Sequence, residues 1–143
     1  MSNPKSEIHN NKPIHFSVGA IIVKDDKYLL IDRVQPPLGF AGVAGHIDEG
    51  EDAERAIRRE VEEESGLKIK NLELLFEEYL DWNWCSKKIN GHHWYLFRCE
   101  FDGDLKLNKE ETKSIGWYSV EEIKKMILEP VWEYWFKKLK IIS

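Results

Sequence analysis

Three glutamates near the middle of the chain have the spacing of ligands for a divalent cation. Glu60, Glu63 and Glu64 stand in the run GHIDEGEDAERAIRREVEEESGL, which holds nine acidic residues and three arginines. On a helix, carboxylates three and four residues apart are neighbours that repel by a few tenths of a kcal/mol. Carboxylate oxygens are the ligands that Mg²⁺ and Mn²⁺ prefer, so a bound cation would offset this repulsion. The spacing therefore favours a Mg²⁺ or Mn²⁺ site.

A helix over residues 52–65 would aim these carboxylates at the edge of the protein interior. At about 100° per residue, one face becomes an apolar stripe that can pack on a sheet, formed by Ala53, Ile57 and Val61. The opposite face carries Arg55, Arg58 and Glu62 toward solvent. The three glutamates fall on an arc that overlaps the stripe. The alternative is a solvated acidic face that nearby arginines balance.

The residues around this helix complete a longer motif. Gly45 is followed after five residues by Glu51 and after seven more by RE-V-x-EE-x-GL, which is the pattern G-x5-E-x7-R-E-U-x-E-E-x-G-U with U aliphatic. A chance match is about one in a billion per start position, so the motif is specific. The chain resembles the Nudix (MutT-like) hydrolases, and the resemblance covers about residues 16–128.

The resemblance implies a fold and a metal site. The fold would be a Nudix-type α/β/α sandwich, with a mixed curved β-sheet between the motif helix and the late helices. Metal ligands would be Glu60, Glu63, Glu64 and the carbonyl of Ala44, and Mg²⁺ the cofactor, with Mn²⁺ as an alternative. Glu51 and Arg59 would orient these ligands. Gly45 would permit a tight turn into the helix, and Gly66 would end it.

The resemblance also implies hydrolysis of a diphosphate linkage in a nucleoside diphosphate derivative. A nucleoside triphosphate, cleaved to monophosphate and pyrophosphate, is the favoured substrate. ADP-ribose or a nucleotide sugar is the alternative. The segment WNWC lacks the Pro or Tyr that marks ADP-ribose and dinucleoside polyphosphate hydrolases, which leaves the subfamily open. A non-catalytic ligand-binding regulatory module and an acidic interaction protein are the other hypotheses. The general base would be Glu111, with Glu110 as an alternative.

Candidates for substrate binding lie outside the helix. Arg33 and Gln35 could grip phosphate, and His46 lies inside the motif. Asn90-Gly91 predicts a two-residue hairpin in which Ile89 faces His92 and Trp84 faces Phe97. Alternation then places on one face the residues Trp82, Trp84, His93, Tyr95, Phe97 and Cys99. This face is either core or a stacking surface for a nucleobase, with Trp82 and Trp84 as its candidates. His92 and His93 point to opposite faces and so cannot easily share one ion.

Composition limits the class of protein. The chain has 143 residues and a net charge of −5, which predicts one domain over residues 14–143 after a loose arm over 1–13. The charge gives no reason to expect a nucleic-acid or membrane partner. Cys85 and Cys99 fit no disulfide or CxxC pattern, and no signal peptide is seen, so we expect a reduced, cytoplasmic protein. The aromatic C-terminal helix is either core or the face of a homodimer.

The remaining elements follow from hydrophobic patterns and turn residues. Strands are predicted at 16–23, 28–33, 68–84 and 114–120, with a turn at KDDK. Residues 34–45 hold two prolines and three glycines, which predicts a long loop. A helix should begin near Val120 and be interrupted by Pro130, before a final amphipathic helix over VWEYWFKKLKII.

Overall fold

The structure is a computed structural model that describes residues 3–33, 38–83, 85, 89, 91–106 and 112–143. Strands and helices within these ranges are, in chain order, β1 (Ser6–His9), β2 (Lys12–Lys24), β3 (Lys27–Arg33), β4 (Phe40–Ala41), β5 (Val43–His46), α1 (Ala53–Ser65), β6 (Lys68–Leu80), β7 (His92–Asp102), β8 (Thr112–Tyr118), α2 (Val120–Ile123) and α3 (Pro130–Lys138). None of these helices combines the length and apolarity that crossing a bilayer would need.

β2 is the centre of a mixed sheet. It pairs antiparallel with β1, β3 and β5 and parallel with β7. β7 pairs antiparallel with β6, while β3 pairs with β4 and β8. Because successive side chains alternate between faces, β2 can be buried on both sides. Even-numbered residues from Ile14 to Ile22 join one core, and Ile21 joins the other.

The helices cover opposite faces of the sheet. α1 packs on one face through Ala56, Ile57 and Val61, which are fully buried. α2 and α3 pack on the other face, where Trp132 and Trp135 are fully buried. A Cβ at Gly42 would lie 2.6 Å from the Trp132 ring, so glycine makes room for this indole. The predicted α/β/α sandwich with a mixed sheet is confirmed.

Both ends of α1 follow from local chemistry. Asp52 precedes the helix in an extended conformation, and its Oδ1 accepts a hydrogen bond from the backbone N–H of Arg55 at 2.8 Å. Gly66 ends the helix with φ 78°, and its N–H donates to the carbonyl of Glu62 at 2.9 Å. The predicted helix and its glycine cap are confirmed.

Two predictions for the first third of the chain need correction. The prediction of a loose arm over residues 1–13 is wrong for Ser6–His9. These residues form β1, and a turn at Asn10 and Asn11, both at positive φ, leads from β1 into its partner β2. The long loop over 34–45 is wrong in its second half, which forms β4 and β5. The backbone N–H and C=O groups of β5 pair with those of β2, so this glycine-rich stretch is extended.

The predicted two-residue hairpin is also wrong. Phe97 pairs with Leu74 rather than Trp84, and His92 pairs with Leu80 rather than Ile89. The connection is therefore longer than Asn90-Gly91 alone. Trp82 contacts Tyr134 of α3, while Phe97 packs on the α1 side, so these two do not share a face. The position of β7 is fixed by its parallel pairing with β2. A local turn signal such as Asn90-Gly91 therefore does not predict the register between β6 and β7.

At the C-terminal end, the helix that begins at Val120 is a single turn. Ser119 and Glu122 form a reciprocal capping box around its start. Pro130 then stands in the first turn of α3, where its missing N–H costs nothing. The proline therefore begins the last helix.

Candidate functional site

Arg59 organises the motif from one side of α1. Its Nε and Nη2 donate to the two carboxylate oxygens of Glu51 at 2.8 and 2.9 Å. Nη2 also donates to the carbonyl of His46 at 3.0 Å, and Nη1 donates to Glu60 Oε1 at 2.6 Å. The planar guanidinium thus ties the end of β5 and the loop before α1 to the carboxylates of the helix.

The Glu51–Arg59 ion pair stabilises the charged form of each side chain. Arg59 holds the pKa of the Glu51 carboxyl below its usual value, mainly through their hydrogen bond. Glu51 in turn raises the pKa of Arg59. Glu51 Oε1 also accepts the backbone N–H of Asp48 at 2.9 Å. Such a pair fixes the entry to the helix, which agrees with the orienting role that the motif predicts.

Two of the three predicted metal ligands are buried beside each other. Glu64 is 6 % exposed, and the Glu60 side chain is 13 % exposed. Burial raises the pKa of the Glu60 carboxyl, while a hydrogen bond with Glu64 and the charge of Arg59 oppose the rise. Two buried carboxyls that share a hydrogen bond cannot both ionise easily without a compensating cation.

Glu63 departs from the expected direction. Its side chain is 53 % exposed, so it does not turn toward the interior edge with Glu60 and Glu64. It lies 3.4 Å from Arg59 Nη1 and faces the same space from the solvent side. The reason is its angular position on α1, where it lies further from the apolar stripe than Glu64.

Gly45 belongs to the site for a different reason from the one expected. It lies in extended β5 and not in a tight turn, and its φ is not positive. A Cβ at this position would lie 2.2 Å from the carboxyl carbon of Glu60. The glycine is therefore required because the Glu60 carboxyl packs directly against the backbone of β5.

These residues fit a divalent cation. The donors are carboxylate and carbonyl oxygens, the set that Mg²⁺ and Mn²⁺ prefer. Glu64 is buried, Glu60 is largely buried with a raised pKa, and the Glu60 carboxyl packs against β5 at Gly45. The ligand candidates are Glu60, Glu63, Glu64 and the carbonyl of Ala44 in β5.

Arg33, a candidate phosphate ligand, forms a long-range ion pair. Its Nη1 donates to Glu129 Oε2 at 3.0 Å. Glu129 is 4 % exposed, and its burial raises the pKa of its carboxyl against the opposing charge of Arg33. Sequence reasoning did not identify Glu129, because its partner lies 96 residues away and no local pattern marks a buried acid.

The other substrate-binding candidates lie on the α3 side of the sheet or outside the described ranges. His46 lies in β5 and pairs with Ser17 of β2. The His46 side chain therefore projects from the sheet face opposite α1. Trp82 is 45 % exposed and meets Tyr134 edge to face at 5.5 Å. The remaining predicted residues, which lie outside the described ranges, are Gln35, Trp84, Glu110 and Glu111.

A second group of potential ligands was not predicted. His15, His46, Cys85 and His92 place one ligand atom each within 4.8 Å of the others. They come from β2, β5, the β6–β7 connection and β7, so their spacing along the chain carries no metal motif. Cys85 and Cys99 are both free thiols, as expected. His93, on the other face, bonds Glu77 at 2.8 Å.

Comparison with known proteins agrees with the motif. The NUDIX domain family model matches residues 13–139. The NAD-capped RNA hydrolase NudC of Escherichia coli O9:H4 (strain HS) is 32 % identical over 104 residues, or 71 % of this chain. That match spans only 38 % of the length of NudC.

Solved structures share the fold. A MutT NUDIX hydrolase from Burkholderia pseudomallei is 28 % identical, with a TM-score of 0.63 over 76 % of this chain and 85 % of that one. The NUDIX domain of NrtR from Shewanella oneidensis, solved with ADP-ribose, has a TM-score of 0.70 at 16 % identity, over 87 % and 85 % of the two chains. With the motif in place on α1 and the family match covering most of its length, the chain belongs to the Nudix hydrolase family.

Proposed function

We propose that the protein is a Mg²⁺-dependent hydrolase that cleaves a diphosphate linkage in a nucleoside diphosphate derivative. The observation that carries this proposal is the pair of carboxyls of Glu60 and Glu64, which are largely buried and share a hydrogen bond, with Glu60 packed against Gly45 beside Arg59. Arg59 offsets only part of the cost of burying these charges, because the pKa of the Glu60 carboxyl stays raised, and a bound metal cation would offset the rest. A protein that only presented an acidic surface would have no reason to bury these groups.

In this proposal Glu60, Glu63, Glu64 and the Ala44 carbonyl hold the metal, with Mn²⁺ able to replace Mg²⁺. A cation held there would supply charge neutralisation for phosphate and activation of water for hydrolysis. The protein supplies the alignment of the ligands. Arg59 holds Glu60 through Nη1 and holds β5 through the His46 carbonyl, and Glu51 keeps the guanidinium in that orientation.

The remaining roles also stay proposals. Glu111, or Glu110 beside it, would accept the proton of the attacking water. Nucleobase stacking is assigned to Trp82 and Trp84, and contacts with the rest of the substrate to Arg33, Gln35 and His46. The exposed ring of Trp82 supports its assignment. The Glu129 partner makes Arg33 a weaker phosphate ligand than a solvated arginine, because its charge is already compensated.

The favoured substrate is a nucleoside triphosphate, normal or modified, which would yield monophosphate and pyrophosphate. The similarity to MutT proteins supports this class. A second candidate is a dinucleotide or ADP-ribose linkage, since the relative NudC is an NAD-capped RNA hydrolase and the NrtR domain was solved with ADP-ribose. A ligand-binding module without turnover is the third. The proposed setting is a cytoplasmic protein, with a homodimer as a further option.

A substrate panel tests the proposal. Wild-type protein with Mg²⁺ is offered nucleoside triphosphates, oxidised dGTP, ADP-ribose, NAD⁺, dinucleoside polyphosphates and nucleotide sugars, and phosphate-containing products are quantified. We expect hydrolysis of at least one class, its loss in Glu64→Gln, and its retention in Glu62→Gln, because Glu62 is exposed on the far side of α1. Saturable binding of a nucleotide without turnover would instead favour the module.

A further inference from the structure

Three histidines and one cysteine converge on the sheet face opposite α1. His15 and His92 are register partners in the parallel β2–β7 pair, so they project from the same face. His46 projects from that face at the end of β5, and Cys85 joins from the β6–β7 connection. His15 is 7 % exposed and His92 is 1 % exposed, so the group lies mostly within the protein.

The four side chains are close enough to share an ion. The rings of His46 and His92 stack at 5.5 Å, and the His15 ring meets them edge-on at 4.8 and 5.9 Å. Cys85 Sγ lies 4.0 Å from His15 Nδ1. A tetrahedron with Zn–N bonds of 2.0–2.1 Å and one Zn–S bond of 2.3 Å has edges of roughly 3.3–3.6 Å. The ligand atoms lie within 4.8 Å of one another, so small side-chain movements would close the site.

His92 is oriented as a metal ligand. Its Nδ1 lies 2.7 Å from the backbone carbonyl of Asn83. A carbonyl can only accept, so Nδ1 carries the proton and the lone pair is on Nε2. Nε2 is buried and has no hydrogen-bond partner among the residues that the structure describes. A ring with its lone pair on a buried nitrogen, held in place by a hydrogen bond at the other nitrogen, is the form in which histidine binds a metal ion.

We propose that His15, His46, Cys85 and His92 form a four-coordinate site for Zn²⁺. Imidazole and thiolate are the donors that Zn²⁺ uses in closed structural sites, whereas Mg²⁺ and Mn²⁺ prefer oxygen. A backbone carbonyl that fixes the other nitrogen of a ligating histidine is the usual arrangement around such ions. Four protein ligands would leave no open position, so the role of the ion is structural.

The site is separate from the carboxylates on α1 but connected to them. The two ligand sets lie on opposite faces of the sheet and suit different ions. His46 links them, because its side chain belongs to the zinc site and its carbonyl accepts a hydrogen bond from Arg59 Nη2 at 3.0 Å. Zinc would therefore hold the end of β5, and with it the strand against which Glu60 packs.

Metal titration of the purified protein tests this proposal. Co²⁺ replaces Zn²⁺ in such sites and reports its ligands by absorption, so apoprotein is titrated with Co²⁺ in a non-chelating reductant. We expect one equivalent to give the visible bands of a tetrahedral ion and a thiolate-to-metal charge-transfer band, both removed by one equivalent of Zn²⁺. Wild-type spectra without the charge-transfer band, or with octahedral Co²⁺ only, would overturn the proposal.

Neighbouring residues supply matched controls. His92→Gln and Cys85→Ala should weaken Zn²⁺ binding, measured by competition with a chromogenic chelator, by at least about tenfold. His93→Gln and Cys99→Ala should not, because His93 and Cys99 lie on the other face. Circular dichroism of each apoprotein checks folding, and Cys85→Ala is the less disruptive variant because Cys85 is only partly buried. Equal weakening by His93→Gln and His92→Gln would contradict the assignment.

Discussion

At the scale of single residues, Arg59 makes contacts that a lysine could not reproduce. Its fork geometry holds both oxygens of Glu51 while a second edge reaches Glu60. An ammonium group is a single point of charge and can replace only part of this set. Arginine is therefore required by geometry as well as by charge.

We predict that Arg59→Lys lowers the free energy of unfolding by about 1–3 kcal/mol at pH 7. Arg58→Lys is the control, because Arg58 is exposed and donates to the Ile69 carbonyl, and it should change stability by less than about 0.5 kcal/mol. Urea denaturation of both variants measures the difference. Equal losses would mean that the fork geometry is unimportant.

The same pair has a defined dependence on pH. The folded-state pKa of Glu51 lies below its usual 4.5, so its ionised form is stabilised by folding. This contribution is present above pH 4.5 and is lost as the pH falls through the lower folded-state pKa. The stability difference between wild type and Arg59→Lys should therefore shrink when urea denaturation is repeated in acid. A difference that grew in acid would contradict the pairing.

Arg33 and Glu129 provide a second prediction at this scale. Arg33→Met leaves a buried carboxylate without its partner, and we expect a loss of about 1–3 kcal/mol, reduced from the fully buried case because Arg33 is 30 % exposed. The double variant Arg33→Met with Glu129→Leu should recover most of this loss. Thermal denaturation of the two single variants and the double variant measures the coupling. Additive losses would show that the two residues act independently.

The pKa of Glu129 is shifted in the opposite direction to that of Glu51, so its contribution to stability changes with pH in the opposite sense. Burial raises its folded-state pKa above 4.5, so ionisation destabilises the folded protein as the pH rises from 4.5 through that pKa. Arg33 compensates the ionised form in the wild type. The penalty of Arg33→Met should therefore be larger at neutral pH than at pH 4.5, where more than half of Glu129 is protonated.

At the scale of elements, the contact between β5 and α1 determines the carboxylate site. Gly45→Ala would force a Cβ to within 2.2 Å of the Glu60 carboxyl, so either the strand or the carboxyl must move. We expect a loss of about 1–3 kcal/mol. Mg²⁺ should raise the melting temperature of the wild type, because an ion that binds only the folded state stabilises it, and Gly45→Ala should lose this rise.

Gly50→Ala is the control for this prediction. Gly50 has φ 83°, and a Cβ added there would meet nothing within 4 Å, so alanine costs backbone strain of about 1–2 kcal/mol without touching the ligands. The Mg²⁺ response should remain. If Gly45→Ala kept that response while Gly50→Ala lost it, the packing account of Gly45 would be wrong.

The same elements show what the sequence can predict. α1 was predicted because its apolar stripe, its acidic start and its Gly66 cap are local features. The strands at β2 and β3 were predicted for the same reason, with the turn at Asp25 and Asp26 between them. The β6–β7 register was missed, because parallel pairing with β2 decides it and no turn residue encodes that pairing. β5 was missed because three glycines in the segment suggested a loop.

At the scale of the whole molecule, the sheet separates two sets of candidate metal ligands by chemistry. Oxygen donors lie on the α1 face, and nitrogen and sulfur donors lie on the α3 face. The oxygen site was predicted because its ligands share one helix and one motif. The histidine and cysteine group was not, because its members come from four segments and meet only when β2, β5 and β7 are aligned. His46, which was predicted to bind substrate, contacts both sets. Its carbonyl accepts a hydrogen bond from Arg59, and its ring lies in the histidine and cysteine group.

The most direct test of the central claim is a Mn²⁺ titration followed by electron paramagnetic resonance, which measures the free ion. Wild type should bind Mn²⁺, and Glu64→Gln should weaken that binding by at least about tenfold. Glu62→Gln should leave it unchanged, since Glu62 is exposed on the far side of α1. Equal affinity of wild type and Glu64→Gln would contradict the claim that the buried carboxyls of α1 hold the catalytic metal.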